Sequence, residues 1–327
     1  MESILVTGGA GYIGGHVVRQ LTEAGYRVVV YDNLSTGFEA ILINGETLVR
    51  AELADNETLE STLRKFGAKT VLHFAASIIA PESVSKPLDY YGNNTGNTMR
   101  LLKACVRTGV ERFVFSSTAA VYGMPESGVA SEDSPTVPIN PYGTSKLMSE
   151  WMLRDTATAH GLRYVALRYF NVAGADPLGR MGQRIEEATH LIKVCCQAAL
   201  GKRKSVSIFG TDYGTPDGTG IRDYIHIEDL ASAHISALRY LEGGGSPVTL
   251  NVGYGNGSSV REVIDVVQRV SGVKFAVVEA PRRPGDPAML VARSRRIREV
   301  LDWQPRYDDL EKIVADAWQW ERKLAGC

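Results

Sequence analysis

The sequence predicts an α/β protein: a doubly wound parallel sheet with a smaller, discontinuous α/β lobe attached to it. Three observations carry this reading. Short strands alternate with helical segments through residues 1–172. The strands read as continuous apolar runs, the character of a sheet covered on both faces. The texture then changes after Asn171, where Gly, Pro and Asp accumulate over Ala173–Gly182. Strands separated by helices require right-handed crossovers, and a doubly wound sheet is the arrangement that accommodates them.

The elements follow in order. Ile4–Val6 is the first strand. Tyr12–Ala24 is helical and stops at Gly25, a residue free to take the left-handed conformation that closes a helix. Arg27–Tyr31, Thr47–Val49 and Thr70–Phe74 are the next strands. Asp89–Thr108 is a long helix and Arg112–Ser116 a fifth strand. Tyr142–His160 is helical, closed by Gly161, and Tyr164–Tyr169 is a sixth strand. Beyond the change in texture come helix Ile185–Leu200, strand Val206–Phe209, the Gly-rich loop Gly210–Gly220 and helix Glu228–Leu241. Val248–Val252 is a strand able to return to the main sheet. Arg261–Val270, Lys274–Val278 and the C-terminal helix Leu310–Lys323 complete the smaller lobe. The expected division is a large lobe over 1–172, with 223–253 returning to it, and a smaller lobe formed mainly by 173–327, with a cleft between them.

The chain has 327 residues, 44% hydrophobic and 22% charged, with a formal net charge of -1. That length supports a sizeable core, and that balance offers no broad electrostatic footprint for nucleic acid or an anionic membrane. No apolar run reaches the ~18 residues of a membrane span, and no signal peptide is read before the first strand. Cys105, Cys195, Cys196 and Cys327 form no C-x-x-C pair, and no His cluster completes a zinc site. Cys195 and Cys196, adjacent in an apolar helical stretch, read as packing residues. The expectation is a cytoplasmic protein without metal.

Gly8, Gly11 and Gly14 give G-x-x-G-x-x-G between strand one and helix one. A tight turn there needs a residue without Cβ, the backbone must approach a pyrophosphate closely, and the helix N-terminus then offers free N–H groups and a positive dipole end. Asp32 ends the second strand and suits the ribose hydroxyls of an adenosine, with Asn33 and Leu34 on the same rim. A carboxylate at that point repels a 2′-phosphate, so the pattern favours NAD over NADP in a Rossmann-type lobe.

Tyr142 and Lys146 stand four apart on one helix face. A nearby ammonium stabilises phenolate and is expected to lower the tyrosine pKa toward working pH. Lys146 can also hold a nicotinamide ribose, and Tyr142 can take a proton from a sugar hydroxyl while hydride leaves the same carbon. Y-x-x-x-K is common on helices by itself; here it follows a complete dinucleotide half and a strand ending Ser116-Ser117-Thr118. The Thr118 hydroxyl either orients the same substrate oxygen or is a satisfied strand-end group.

VTGGAGYIG, DNLSTG, HFAA, ESVSKPLDYYGNNT, FSSTAAVYG, PYGTSK, LRYFN, DGTGIRDYIHIEDLA and RRPGD follow one another from end to end. In these the chain resembles the bacterial UDP-glucose 4-epimerases of the extended short-chain dehydrogenase/reductase family, over essentially its whole length. The resemblance implies a redox-neutral inversion of C4 of a UDP-sugar through a 4-keto intermediate, with NAD as cofactor and a homodimer paired through helices Tyr90–Thr108 and Tyr142–His160. It implies Tyr142 as base, Lys146 as its electrostatic partner and Thr118 as hydroxyl partner. Tyr12, Ile13, Glu52, Leu53, Phe74, Ala75, Ala76, Asn93, Ser116 and Tyr169 would line the cofactor cleft. Phe170, Asn171, His190, Phe209, Arg222, Tyr224, Arg283, Asp286 and Leu290 would hold the UDP-sugar, the arginines matching the diphosphate.

Departures from the pattern sharpen the expectations. Ile78 stands where many members place a lysine, so one cationic cofactor contact is missing and NAD retention is expected to be weaker. Ala51-Glu52 replaces Gly-Asp and keeps a carboxylate near the adenine on a longer arm. His190 replaces an Asn in the uracil region, and Arg293 a common Asp, with structural consequences only. Leu290 stands where members that reject N-acetylated sugars carry Tyr, which leaves room for UDP-N-acetylhexosamines; UDP-pentoses fit any site that holds a hexose. A dehydratase on the same scaffold needs an acid–base pair after Thr118, where this chain has Ala119 and Ala120. A simple reductase uses the same Tyr and Lys. A non-catalytic dinucleotide sensor is disfavoured by the presence of Tyr142, Lys146 and Thr118 together.

Overall fold

Strand β1 (Ser3–Thr7) opens the chain and runs into the glycine turn, which starts helix α1 (Tyr12–Glu23). Strands β2 (Arg27–Asp32), β3 (Thr47–Arg50), β4 (Ala68–His73) and β5 (Arg112–Thr118) follow. Together with strands Arg163–Tyr169 and Val248–Val252 they form one seven-stranded sheet. Every pairing in it is parallel, in the order Val248–Val252, Arg163–Tyr169, β5, β4, β1, β2, β3. The chain winds outward from β1 to β3, then returns to β4 on the other side of β1. A crevice therefore opens at the carboxyl ends of β1 and β4, where such sheets bind ligands. The computed structural model describes residues 2–185, 189–283 and 285–326; Cys327, and residues 186–188 within the helix expected over Ile185–Leu200, lie outside these.

Both sheet faces are buried, as the apolar runs require. Ile4, Val6, Val28 and Val30 point into one layer against α1 and helix Ile227–Glu242, while Leu5, Val29, Val71 and Phe113 point into the other. Burying each such side chain is worth about 1.5–3 kcal/mol, so the sheet is the rigid part on which the strand-end groups are mounted.

Several elements differ from the sequence reading. The expected helix Asp89–Thr108 is three pieces: Pro87–Tyr90, a π-helical turn Tyr91–Gly96, and Asn97–Thr108. The segment YGNNTG has no apolar stripe in which a change of helical period would show. Of the helix expected over Ile185–Leu200, the described residues show Leu191–Ala199, with His190 as its N-cap. Helix Asn56–Phe66 was not foreseen, although its Asp55 cap and its Gly67 stop, at φ 59°, are both legible. Strand Ile221–His226 pairs with Asn171–Ala173, Gly257–Ser259 and Met289–Ala292 in a second small sheet, and Met289–Ala292 also pairs with Val129–Ala130. Ser205–Phe209 pairs with Ala276–Ala280. None of the helices among the described residues is long and apolar enough to cross a membrane.

Candidate active site

The glycine turn closes onto the sheet so tightly that side chains have no place there. Gly8 sits at φ +71°, and a Cβ on it would fall 2.5 Å from the Ala75 nitrogen; one on Gly14 would fall 2.3 Å from the Gly8 carbonyl oxygen. Gly11 caps α1 without a side chain, so the N–H groups of Tyr12 and Ile13 stand at a helix N-terminus with no side-chain acceptor. That is a cradle shaped for an anion. At the end of β2, Asp32 Oδ2 accepts from Ala10 N at 3.0 Å and Oδ1 from Leu34 N at 2.8 Å. Each oxygen keeps a further lone pair for a hydroxyl. Leu34 takes the left-handed conformation at φ 60°, which costs of order 1–3 kcal/mol for a residue with a side chain and is held by the bond to Asp32. Asn33 Nδ2 donates to both oxygens of Glu52 at 3.1 and 3.0 Å, so the longer carboxylate is tied to the same rim, and Leu53 is buried beneath it. This pocket suits a pyrophosphate joined to a ribose diol, the two polar parts of NAD.

Phe74, Ala75 and Ala76 leave β4 at the opposite wall, with the Phe74 ring 4.8 Å from that of His234. Asn93 is exposed and donates to Ser77 Oγ at 2.9 Å. Its neighbour Asn94 is the buried one: it accepts from Ser77 N at 2.8 Å and donates to Ser77 O and to Ser145 Oγ, both at 3.0 Å. The π-helical turn directs this amide onto the helix that carries Tyr142. Ile78 is exposed at 46%.

Tyr142 and Lys146 occupy the first turns of helix Pro141–His160. The Asn140 side chain accepts from Gly143 N at 2.9 Å, and Pro141 supplies a φ already suited to a first helical position. A Cβ on Gly143 would meet the Ala120 carbonyl at 2.6 Å, so the helix start lies directly on the turn after β5. Thr118 ends β5 opposite Tyr169, and its Oγ1 accepts from Ala120 N at 3.1 Å. Burial pushes the Tyr142 phenol above its ordinary range, and the Thr118 side chain beside it draws it back. This corrects the expectation that Lys146 lowers it, because burial penalises a phenolate and the ammonium is engaged elsewhere. Lys146 Nζ donates to Ser116 O at 2.9 Å and sits 5.0 Å from the centre of the Phe115 ring. Burial lowers its pKa to about 7, against the pull of Glu150. The hydroxyls of Ser116 and Tyr169 are hydrogen-bonded to each other.

On the substrate side, Arg222 forms an ion pair with Asp286 and donates to Ile221 O at 2.8 Å. The Arg283 guanidinium lies 3.6 Å from the centre of the Phe209 ring. Leu290 pairs with Arg222 across adjacent strands and packs on the cluster of Phe170, Leu147 and Val121, between the arginine and the Tyr142 helix. A small, partly open cleft is lined by Asn171, His190 and Tyr224 together with Tyr12, Gly174 and Trp320. His190 precedes helix Leu191–Ala199, its Nδ1 2.9 Å from Gln183 Nε2. The structure therefore gathers the expected residues into a glycine–aspartate rim, a Ser116–Thr118–Tyr142–Lys146–Tyr169 centre and an Arg222–Arg283–Asp286 end. Asn93 stays outside these groups.

Sequence reasoning missed Asn94, Ser117, Glu150, Arg168 and Asp223. Glu150 stood four residues beyond Lys146 on the same face, which was a usable signal. Asp223 accepts from Tyr254 N at 3.0 Å, Gly255 N at 2.9 Å and Ala292 N at 3.1 Å, and so ties the strand of Arg222 to that of Leu290; nothing local in the sequence predicts those partners. Among the described residues no group of three or more His, Cys, Asp or Glu side chains could hold a metal.

The sequence profile of the NAD dependent epimerase/dehydratase family matches residues 4–253. A UDP-glucose 4-epimerase of Azospirillum brasilense is 58% identical over 321 residues, spanning 98% of this chain and 92% of that protein. The solved structure of UDP-glucose 4-epimerase from Brucella ovis in complex with NAD superposes with a TM-score of 0.94 at 43% identity, covering 97% of this chain and 98% of that one. That of the UDP-Glc/GlcNAc 4-epimerase from Campylobacter jejuni does so with a TM-score of 0.87 at 48% identity, covering 99% of this chain and 100% of that one.

Proposed function

The chain belongs to the NAD dependent epimerase/dehydratase family, and from that premise we propose that it is a NAD-dependent 4-epimerase of UDP-sugars, with UDP-glucose and UDP-galactose as its main pair. The observation that carries this reading is the centre at the end of β5. Tyr142 stands beside Thr118, Lys146 is buried one turn on, and Ala119 and Ala120 bring no second acid or base to remove water from a sugar. When bound, NAD supplies the acceptor for the C4 hydride and gives the hydride back. Tyr142 takes the proton of the C4 hydroxyl and returns it after the 4-keto sugar has turned over, and Thr118 holds that oxygen in line. Lys146, fixed on the Ser116 carbonyl, is placed to hold the nicotinamide ribose. Arg222 and Arg283 hold the diphosphate, so the nucleotide stays fixed while the sugar turns.

Leu290 supports a second substrate class. It is half-buried, carries no ring and stands between Arg222 and Phe170, so an N-acetylated sugar finds room there. A 48% identical structural relative is a UDP-Glc/GlcNAc 4-epimerase. The division into a dinucleotide lobe over 1–172 with 223–253, and a UDP-sugar lobe over the rest, follows from the same reading. So does a homodimer, supported by Met99, Val106 and Trp151 exposed at 42%, 37% and 47% on helices Asn97–Thr108 and Pro141–His160. Cys105, Cys195 and Cys196, all unpaired and buried, suit a reducing cytoplasm.

The deciding experiment is product analysis by chromatography or NMR after incubation with UDP-galactose and catalytic NAD. Appearance of the 4-epimer without net NADH supports the reading, and the same assay with UDP-N-acetylglucosamine and UDP-xylose ranks the sugars. No conversion of any UDP-sugar by protein that holds NAD would overturn it.

A further inference from the structure

Behind Lys146 lies a buried polar cluster that the proton transfer itself does not use. Glu150 follows Lys146 by one turn on the inner face of helix Pro141–His160 and is 6% exposed. Its Oε1 accepts from Ser117 Oγ at 2.5 Å and from Arg168 Nε at 2.9 Å, and its Oε2 accepts from Arg168 NH2 at 2.5 Å. Arg168 in turn donates to Tyr122 Oη at 3.0 Å, and Tyr122 donates to Asn251 Oδ1 at 2.6 Å. Asn251 donates to Ala130 O at 2.9 Å, on the short strand that pairs with Met289–Ala292. Ser117 lies between Ser116, whose carbonyl receives Lys146, and Thr118, which adjoins Tyr142. One carboxylate thus clamps the helix of Tyr142 and Lys146 to the strand of Ser116 and Thr118 and to the adjacent strand that carries Arg168.

We propose that Glu150 is a positioning residue for the C4 chemistry, fixing through Ser117 and Arg168 the placement of Lys146 on the Ser116 carbonyl and of Tyr142 beside Thr118. A buried ion pair of this kind is weak evidence for stability but good evidence for a fixed geometry when every donor and acceptor is engaged. Its charge matters as well. Burial alone draws Lys146 down, and Glu150 is the carboxylate that opposes this. The other titratable or charged groups facing Lys146 are Tyr142 on its own helix, Tyr169 on the strand next to β5, and His73 on β4, with Arg168 behind Glu150. Burial pushes His73 down to about 3, with Lys146 adding to the effect, so that ring stays neutral at working pH; burial pushes Tyr169 up, out of the working range. Glu150 is therefore the negative charge that opposes burial at Lys146.

The inference rests on the epimerase reading for its activity readout, and the test is built to separate the two. Wild type, Glu150→Gln, Glu150→Asp and Ser117→Ala are compared, with NAD bound, on UDP-galactose across pH. Removing the negative charge favours proton loss from both Tyr142 and Lys146. In Glu150→Gln both limbs of the kcat/KM profile should therefore move to lower pH, with kcat down about 10- to 100-fold and KM nearly unchanged. Glu150→Asp should bring the limbs back while kcat stays partly reduced. Ser117→Ala should lower kcat without moving the limbs. Limbs that stay in place in Glu150→Gln overturn the proposal, because lost packing alone lowers the melting temperature and leaves the profile where it was. If Glu150→Gln does not fold, Ser117→Ala decides: unchanged kcat overturns the proposal and a lowered kcat at constant KM supports it. If wild type itself does not epimerise, the assigned reaction fails. The role of Glu150 is then read from the tyrosinate difference absorbance of each protein against its Tyr142→Phe counterpart, which should titrate at lower pH in Glu150→Gln.

Discussion

Lys146 donates its ammonium to the carbonyl of Ser116 at 2.9 Å, two residues before Thr118 on the strand that faces Tyr142. The strand end and the helix start are thereby one unit, and the charge of Lys146 is held at a fixed place rather than on a free arm. With burial drawing its pKa to about 7, a loss of this side chain removes both a positive charge and an anchor. Lys146→Met is expected to lower kcat on UDP-galactose by about 10²–10⁴-fold, the usual scale for a member of an acid–base centre. Steady-state kinetics on the NAD-loaded variant checks it, and near-normal turnover would remove Lys146 from the centre.

Tyr142→Phe removes only the phenolic oxygen from a side chain that is 9% exposed. The ring still fills its place, so NAD and UDP should bind with affinities close to wild type by calorimetry. Turnover should fall on the same scale as for Lys146→Met. Equal activity in the two proteins would mean that another group takes the proton.

At the other end of the site, Arg222 is paired with Asp286 and Arg283 rests on Phe209. Both are positioned by neighbours rather than waving in solvent. The double variant Arg222→Ala, Arg283→Ala should raise the Kd for UDP by at least tenfold, since a hydrogen bond to a charged group contributes about 1.5–3 kcal/mol. Its melting temperature should change by only a few degrees. Undiminished UDP affinity in a folded protein would place the diphosphate elsewhere.

What could be read from the sequence divides along a physical line. The parallel sheet, the glycine turn, Asp32 and the Tyr142–Lys146 spacing are local patterns, and each appears where periodicity and spacing put it. The π-helical turn at Tyr91–Gly96 was not legible, because its residues YGNNTG carry no apolar stripe in which a change of helical period would show, yet it places Asn94 on Ser145. The pKa of Tyr142 was misjudged for a related reason. The charge beside it is visible in sequence, but the burial around it is a property of tertiary packing. Asp223 and Glu150 depend wholly on partners dozens of residues away or on another strand, and a single chain read linearly does not disclose those.

A buried charged cluster joins α1 to helix Ile227–Glu242, and it is expected to make the fold sensitive to acid. Glu228 lies 2.5 Å from His16 Nδ1, forms an ion pair with Arg19 and accepts from Gln20 Nε2 at 2.8 Å. Burial alone would raise the pKa of this carboxyl, but His16 and Arg19 override it and hold it at about 2, below the ordinary 4.5. A depressed carboxyl stabilises the fold above its unfolded value, and that contribution is lost as pH falls from about 4.5 toward about 2; the shift corresponds to about 3 kcal/mol. His16 acts in the same direction. Burial lowers its pKa from 6.5, so the unfolded chain gains a proton there that the native one refuses, and stability begins to decline below that pH. Glu228→Gln should therefore destabilise the protein by about 3 kcal/mol at neutral pH in urea unfolding. The gap between wild type and variant should then narrow as pH falls below about 4.5. A gap that stays constant down to the acid limit would show that the charge of Glu228 contributes nothing, and that the carboxyl serves there only as a hydrogen-bonding shape.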